Sequence, residues 1–462
     1  MSSPSPIILD YTLHDLYTSD TEDNLDTVLV YYPIQFKHNH RKKEVKYAYG
    51  YNLEEEEEGA TSSSTMAASL VPQRYAFSAG RMPLVILDVS AHRKLNINRE
   101  GKPRAVDSIP AHYLDIYRTF AQLQPDQRPS VVFATSPDSI ELGLGARIGV
   151  LQPTDCVSHL PHLLCPEVHY EILSKRGLAL SGLPTPPSRV IDTLLVDYGD
   201  PRLLARETAR ITSDIEKYPV PFMVKLPQSI SGMGTFAVTC ETDRTRVKAM
   251  LATRLEVLLR QLNPTNRHLH PCSIVLQDFI EGPVVALSVF VTKTGQPIFI
   301  ACCEQLFDNN SHWIGGTISY PQQAGFQKTF FTLVGKVAAF LHRKGYHGPA
   351  GIDIVTDRHS GKQFVIDLNV RVTGTFHLGP LEGHFTRRGL SEAAVSSGDF
   401  FCTRDVFEEA FEEEIRQGSL MVSGWVQHES QSKSHAAITV GSEDRDGLQE
   451  YIRRVRTLGQ QD

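Results

Sequence analysis

The chain has 462 residues, 41% hydrophobic and 21% charged, the balance of a soluble globular protein long enough for two or three domains. Its formal net charge of −7 argues against nucleic acid as the main partner, because phosphate recognition needs a basic face. No apolar run reaches the roughly 20 residues of a membrane span, and no basic segment followed by a long apolar one opens the chain. Seven scattered cysteines without a C-x-x-C pair indicate neither a zinc site nor a disulfide framework, so a reducing, cytoplasmic setting is expected.

In chain order, the first segment carries short β-type runs at Thr27–Tyr32, Pro83–Val89 and Ser130–Ala134, with a helix-compatible piece at Ala111–Leu123 between them. That alternation predicts an open α/β domain over residues 1–165 with a largely parallel sheet. Five glutamates, Glu54–Glu58, followed by a Ser/Thr run predict a flexible surface loop over 53–66. Gly143, Gly145 and Gly149 are spaced G-x-G-x-x-x-G, which is not the dinucleotide fingerprint, and they read as close packing or a turn.

Glu167–Leu180 predicts one helix, stopped by Gly182 and Pro184, and Pro184–Ser188 an extended linker. Residues 166–215 are expected to hold this linker and the start of a central subdomain. Over 216–282 a strand carrying Lys225 runs into a Ser/Gly-rich turn containing Ser231, Gly232 and Gly234, and then into a second strand, Thr235–Val238. Such a turn can fold over phosphates with its backbone N–H groups, and a mobile hairpin with a surface lysine is the simpler alternative. A helix is predicted over Arg244–Leu262 and a strand over Ser273–Phe279.

The remainder, 283–462, predicts strands at Val285–Thr292 and Pro297–Cys302, a helix over Thr329–Lys344 and an acidic helix over Arg404–Arg416. The glutamates of that acidic helix read as a solvated face. Two more strands, Leu420–Gln427 and His435–Val440, and a terminal helix, Arg445–Arg456, close the chain. Its most informative stretch is Gly351–Thr375, where two apolar runs flank a turn and predict a β-hairpin. A period of two puts Asp367 and Asn369 on one face, with Arg371 beyond them and Asp353 on the partner strand. Burying that set costs several kcal/mol unless a cation joins it, and all-oxygen ligands suit Mg²⁺ or Mn²⁺. A plain salt bridge in which Arg371 neutralises Asp367 is the other reading.

Lys175, Lys225 with its glycine turn, the strand end Gln277–Gly282 and D…D-x-N-x-R, taken in this order, resemble the ATP-grasp superfamily, in particular its carboxylate–amine ligases. The resemblance runs from about Pro166 to the C-terminus and extends, more loosely, to fungal members of small-molecule biosynthesis. It implies a Rossmann-like α/β N-terminal domain followed by an ATP-grasp fold, α+β in its catalytic part, with a lid-type subdomain at 216–282 and the metal site in 283–462. It further implies that Lys175 and Lys225 contact ATP, that Gln277, Phe279, Ile280 and Glu281 lie at the adenine hinge, and that Asp353, Asp367 and Asn369 bind magnesium or manganese. Arg371 would stabilise the reacting carboxylate. Two departures are visible: both metal carboxylates are Asp where Glu is frequent, and Pro283-Val284-Val285 replaces the acidic residue near the ribose, a role that would pass to Glu281.

The implied reaction joins a small-molecule carboxylate to an amine through an acyl phosphate, releasing ADP and phosphate, and the resemblance extends to a family whose members often form homodimers. Alternatives are a small-molecule kinase or carboxylase of the same fold and a non-catalytic nucleotide binder. Trp313–Tyr320 is a candidate lining of the acceptor pocket. No sequence signal marks a dedicated general base, and His312, His347, His377 and Cys302-Cys303 are read as packed or solvated residues.

Overall fold

The computed structural model describes residues 6–20, 27–31, 44–49, 63–87, 111–195, 198–229, 234–308, 312–427 and 433–458. The first unit comprises α1 (Leu13–Ser19), β1 (Thr27–Tyr31), α2 (Ser63–Ala76), β2 (Pro83–Leu87), α3 (Ala111–Ala121), β3 (Ser130–Ala134) and β4 (Arg147–Gly149). Its four strands are parallel, in the order β3-β2-β1-β4. The apolar runs are nearly continuous because both sheet faces are covered. Val28, Val30, Val85 and Leu87 pack under Ile148 and Val157, while Leu29, Tyr31, Leu84 and Ile86 share a core with Phe376, Phe385 and Met421 far along the chain. Of the loop expected at 53–66, residues 53–62 lie outside the described residues, and from Ser63 the backbone is helical.

The single helix expected over Glu167–Leu180 is two, α4 (Pro166–Leu173) and α5 (Lys175–Ala179). At Ser174 the backbone turns extended, φ −80° and ψ 145°, and the Ser174 hydroxyl caps α5 by accepting from the Gly177 N–H at 2.7 Å. Gly177 lies so close to the preceding turn that a Cβ there would fall 2.1 Å from the Glu171 carbonyl oxygen. The break frees the Lys175 N–H to donate to Pro227 O at 2.8 Å, which ties this corner to the strand of Lys225.

The middle unit contains β5 (Ser188–Ile191), α6 (Pro201–Lys217), β6 (Phe222–Lys225), β7 (Thr235–Val238), α7 (Glu241–Arg260) and β8 (Ile274–Asp278), with an antiparallel sheet ordered β5-β8-β6-β7. The apolar stripe of α6, Leu204, Ile211 and Ile215, is buried against Val247, Leu251 and Leu258 of α7 and Val224 and Leu276 of the sheet. That shared core runs from Ile191 to Leu276, across the boundary expected at 216. Ile172 and Leu178, expected in the same 166–215 segment as α6, pack instead with Leu287 and Ile352 of the last unit.

The last unit is built on β9 (Val284–Val291), β10 (Pro297–Phe307), β11 (Trp313–Ser319), α8 (Gln323–Arg343), β12 (Gly348–Thr356), β13 (Gln363–Asn369), α9 (Glu382–Thr386), β14 (Glu392–Phe400), α10 (Arg404–Ala410), α11 (Glu412–Gln417), β15 (Leu420–Gln427), β16 (Ser434–Ser442) and α12 (Arg445–Leu458). Its eight-stranded sheet runs β13-β12-β9-β10-β11-β14-β16-β15. Phe330, Val334, Val337 and Leu341 of α8 cover the face carrying Leu287, Val289, Ile352 and Ile354. The acidic helix expected over Arg404–Arg416 breaks at Phe411, whose ring is buried with Phe400, Phe407 and Trp425. Its Glu408, expected to be solvated, accepts instead from Arg404 and Arg118. Among the described residues no helix is long and apolar enough to cross a membrane.

Candidate active site at the β12–β13 hairpin

The hairpin pairs Asp353 with Asp367 and Gly351 with Asn369. Immediately beyond Asp353 the register shifts, because Ile354 faces Val365 and Ile366 is an extra residue on β13. The bulge lets Val365 and Leu368, three apart, both enter the core under α8, while Asp367 stays opposite Asp353. It also leaves the Ile366 carbonyl out of the ladder, where it accepts from Lys225 Nζ at 2.7 Å.

Two lysines close over the carboxylates from other parts of the fold. Lys175, 7% exposed at the N-terminus of α5, pairs with Asp367 Oδ1 at 2.5 Å, and Lys225, 6% exposed, arrives from β6. The bland alternative named Arg371 as Asp367's counter-ion, but Lys175 holds that place. Arg371 lies past the strand end and donates from Nη2 to Asn369 Oδ1 at 3.0 Å. Burial and the neighbouring Asp367 charge push Asp353 well above the usual carboxylate range. Asp367 is held below that range by Lys175, Lys225 and the Leu368 N–H, which outweigh its burial. Burial draws the Lys225 ammonium down to about 8, against the pull of both carboxylates.

A divalent cation fits this donor set. Two facing carboxylates whose mutual repulsion is only partly offset would both be stabilised by it. Among the described residues no group of three or more His, Cys, Asp or Glu side chains is placed to hold a metal. An ion here would therefore rest on Asp353, Asp367 and the Asn369 amide oxygen, with substrate phosphates completing its shell, the pattern Mg²⁺ favours.

The expected phosphate turn is described in part: Gly234 accepts from the Leu226 N–H at 2.8 Å and closes the β6–β7 hairpin, while Ser231 and Gly232 lie outside the described residues. Gln277 is buried on β8, facing Met223 on one side and Ser188 on the other. Phe279 and Glu281 are exposed and, with the half-buried Ile280, join the middle unit to β9. The Glu281 carboxylate pairs with Arg358 at 2.8 Å, so in this structure it is engaged by the β12–β13 turn.

Comparison with protein families matches residues 232–375 to the ATP-grasp domain. That stretch is an ATP-grasp domain. It takes in residues 277–281, Asp353, Asp367, Asn369 and Arg371, whereas Lys175 and Lys225 precede it. Similar solved structures include an N5-carboxyaminoimidazole synthetase from Staphylococcus aureus complexed with ADP, 12% identical, covering 85% of this chain and 95% of that one with a TM-score of 0.49. An L-amino acid ligase from Bacillus licheniformis is 12% identical, with 95% and 98% covered and a TM-score of 0.46. A carboxyaminoimidazole ribonucleotide synthase from Aspergillus clavatus complexed with ATP is 13% identical, with 84% and 96% covered and a TM-score of 0.44. Likeness at this level carries nothing about substrate. No curated protein matches the chain.

Beside the ATP-grasp domain stand groups that sequence reasoning missed. Tyr75 of α2 is buried, and its ring faces two guanidiniums, with Arg74 Cζ 4.9 Å and Arg371 Cζ 5.9 Å from its centroid. Arg74 also stacks on Trp313 of β11 at 4.9 Å and donates to Ser397 Oγ at 3.1 Å. Trp313 is held by Gly374, where a Cβ would fall 2.5 Å from the indole ring. A cavity of about 40 Å³ opens beside Arg371, lined also by Tyr31, His169 and Tyr346. Nothing in the local sequence of α2 signals a site, since Arg74 and Tyr75 gain their meaning from residues nearly 300 positions away. Gln305 of β10 was missed in the same way, and its amide favours the ionised Asp353 carboxylate against burial.

Proposed function

We propose that this chain is an ATP-dependent carboxylate–amine ligase that forms an amide or peptide bond on a small molecule or amino acid. The observation that carries the reading is the facing pair Asp353 and Asp367, clasped between Lys175 and Lys225 with Arg371 alongside. Phosphoryl transfer to a carboxylate demands neutralisation of phosphate charge and in-line placement more than a covalent catalyst.

Lys225 and Lys175 supply buried positive charge toward the triphosphate, and the β6–β7 turn is the element that would cover it. Asp353, Asp367 and Asn369 would hold magnesium or manganese, which when bound spreads and neutralises the triphosphate charge. Arg371 orients the substrate carboxylate by paired hydrogen bonds, so that its oxygen attacks the γ-phosphorus and the β–γ bridging bond breaks, leaving ADP. The guanidinium then holds the acyl phosphate while an amine adds to its carbonyl carbon and phosphate leaves. The amine must lose a proton in this step, and the departing phosphate is a sufficient acceptor.

The test is nucleotide product analysis with Mg²⁺-ATP and pooled amino acids and small carboxylic acids. ADP and phosphate that form only when a carboxylate and an amine are both present support the ligase. ADP formed with one acceptor alone moves the reading to a kinase, and AMP with pyrophosphate removes the acyl-phosphate mechanism. In Asp367→Ala, turnover falls about a hundredfold or more while ATP affinity stays within about threefold of wild type. Turnover close to wild type would remove Asp367 from the site.

A further inference from the structure

Arg74 and Arg371 are two guanidiniums on one buried phenol, and among the described residues neither has a carboxylate within ion-pair distance. Arg74 donates from Nη2 to the Tyr75 hydroxyl at 3.2 Å, and the Arg371 Cζ lies 5.9 Å from the centroid of the same ring. Arg74 Nε is buried and has no hydrogen-bond partner. Burial alone would raise the Tyr75 phenol, yet the two guanidiniums bring it below its ordinary value. Among the described residues the field at this place is therefore positive and uncompensated. Like charges brought together where water is partly excluded are unfavourable unless an anion completes them.

We infer that Arg74 and Arg371 form a two-armed clamp for the carboxylate group of the acceptor substrate, with α2 of the N-terminal unit contributing one arm. The inference rests on the ligase reading for the fate of that carboxylate, though not for its binding. A carboxylate is favoured over a phosphate because, in the ligase reading, phosphate charge is met by Lys175 and Lys225 at the carboxylate pair. Trp313, its ring centroid 4.9 Å from Arg74 Cζ, walls the clamp on the β11 side, and Arg74 Nε is the nitrogen left without a partner in the structure. The first unit would thereby take part in substrate selection, because an acceptor without an anionic group leaves both arms unpaired.

Trp313 supplies the readout. The chain has two tryptophans, and the other, Trp425, is fully buried, so a ligand-dependent change in emission reports on the Arg74 stack. The full chain is titrated with acetate, succinate and phosphate at constant ionic strength made up with chloride. A saturable emission change with the carboxylates is expected. It weakens by about tenfold or more in Arg74→Gln and in Arg371→Gln, and is unchanged in Arg453→Ala, an exposed arginine of α12. Arg74→Lys, which keeps the charge and loses the fork, falls between. No saturable response in the wild type, an equal response in all variants, or phosphate binding ahead of both carboxylates overturns the clamp. Its failure and that of the ligase are separable. An Arg74-dependent response with no ADP from any pool removes the ligase and leaves the clamp. ADP formation with an unchanged KM for the carboxylate in Arg74→Gln does the reverse.

Discussion

Two arginine clusters join the helices of the N-terminal unit to the last unit, and they differ in one respect. Around Arg404, 2% exposed, the charges are matched: its Nε donates to Glu408 Oε1 at 2.7 Å and its Nη1 to Asp115 O at 2.8 Å and Thr119 Oγ1 at 3.1 Å. The adjacent Arg118 pairs with Glu408 at 2.6 Å and Asp405 at 2.8 Å. Around Arg74 and Arg371 the partners are a phenol, an amide, a hydroxyl, a main-chain carbonyl and two aromatic rings, with no acid among the described residues. A protein that surrounds the buried Arg404 guanidinium with two carboxylates does not lack the means to neutralise others. The first cluster is architecture, and the second is complete only with a ligand.

That contrast breaks most visibly in stability. Arg404→Met strands Asp115 and part of Glu408 in a dry interface, and is expected to cost about 3–5 kcal/mol in urea unfolding, the usual penalty for half of a buried ion pair. Arg74→Met removes one of two repelling charges and gives up stacking on Trp313 and Tyr75 worth about 1–2 kcal/mol in all. The two terms oppose each other, so stability should change by less than about 1.5 kcal/mol. Equal losses at the two positions would mean that Arg74 is as structural as Arg404, and the distinction would fail.

The next effect is in substrate handling. Arg371→Lys keeps a charge near Asn369 but loses the forked geometry, and kcat/KM for the carboxylate is expected to fall about ten- to a hundredfold with ATP affinity unchanged. Arg404→Lys should leave kcat/KM of the folded protein within about twofold of wild type, because its partners lie away from the hairpin. A loss of activity at Arg404 matching that at Arg371 would join the two clusters into one functional unit.

These two clusters also mark what was legible in the sequence. The D…D-x-N-x-R hairpin was readable because residue type, alternation and turn residues coincide within 25 positions, and Lys225 because charge inside an apolar strand is anomalous. The bulge at Ile366 was not readable, since nothing local distinguishes the extra residue from an in-register one, yet it decides which carbonyl meets Lys225. The break at Ser174 had a signal in hindsight: a serine three residues before a glycine caps a new helix as readily as it continues an old one. The core that α6 shares with α7 was hidden because α6 reads as any amphipathic helix until its partner is known. Arg74, Tyr75, Arg404 and Asp115 were out of reach altogether, because their roles arise from contacts between segments hundreds of residues apart.

The smallest expected effect tests the matched cluster on its own terms. The Asp115 carboxyl is pushed up to about 6, chiefly by burial, with Arg404 opposing. Burial wins because the Arg404 Nη1 lies 3.6 Å from Asp115 Oδ1, beyond hydrogen-bonding distance, and spends itself on the Asp115 main chain. A folded-state value above the unfolded one means that the folded chain holds a proton the unfolded chain releases. This contribution to stability is complete below about pH 4 and is lost as pH rises through about 6. Relative to Asp115→Asn, the wild type should therefore lose stability between about pH 4 and 6.5 and run parallel to the variant above that. Urea midpoints across this range decide it. A difference independent of pH would mean that Asp115 is ionised throughout in the folded protein. Arg404 would then be neutralised by two full charges, and the contrast with the unmatched pair at Arg74 and Arg371 would be sharper still.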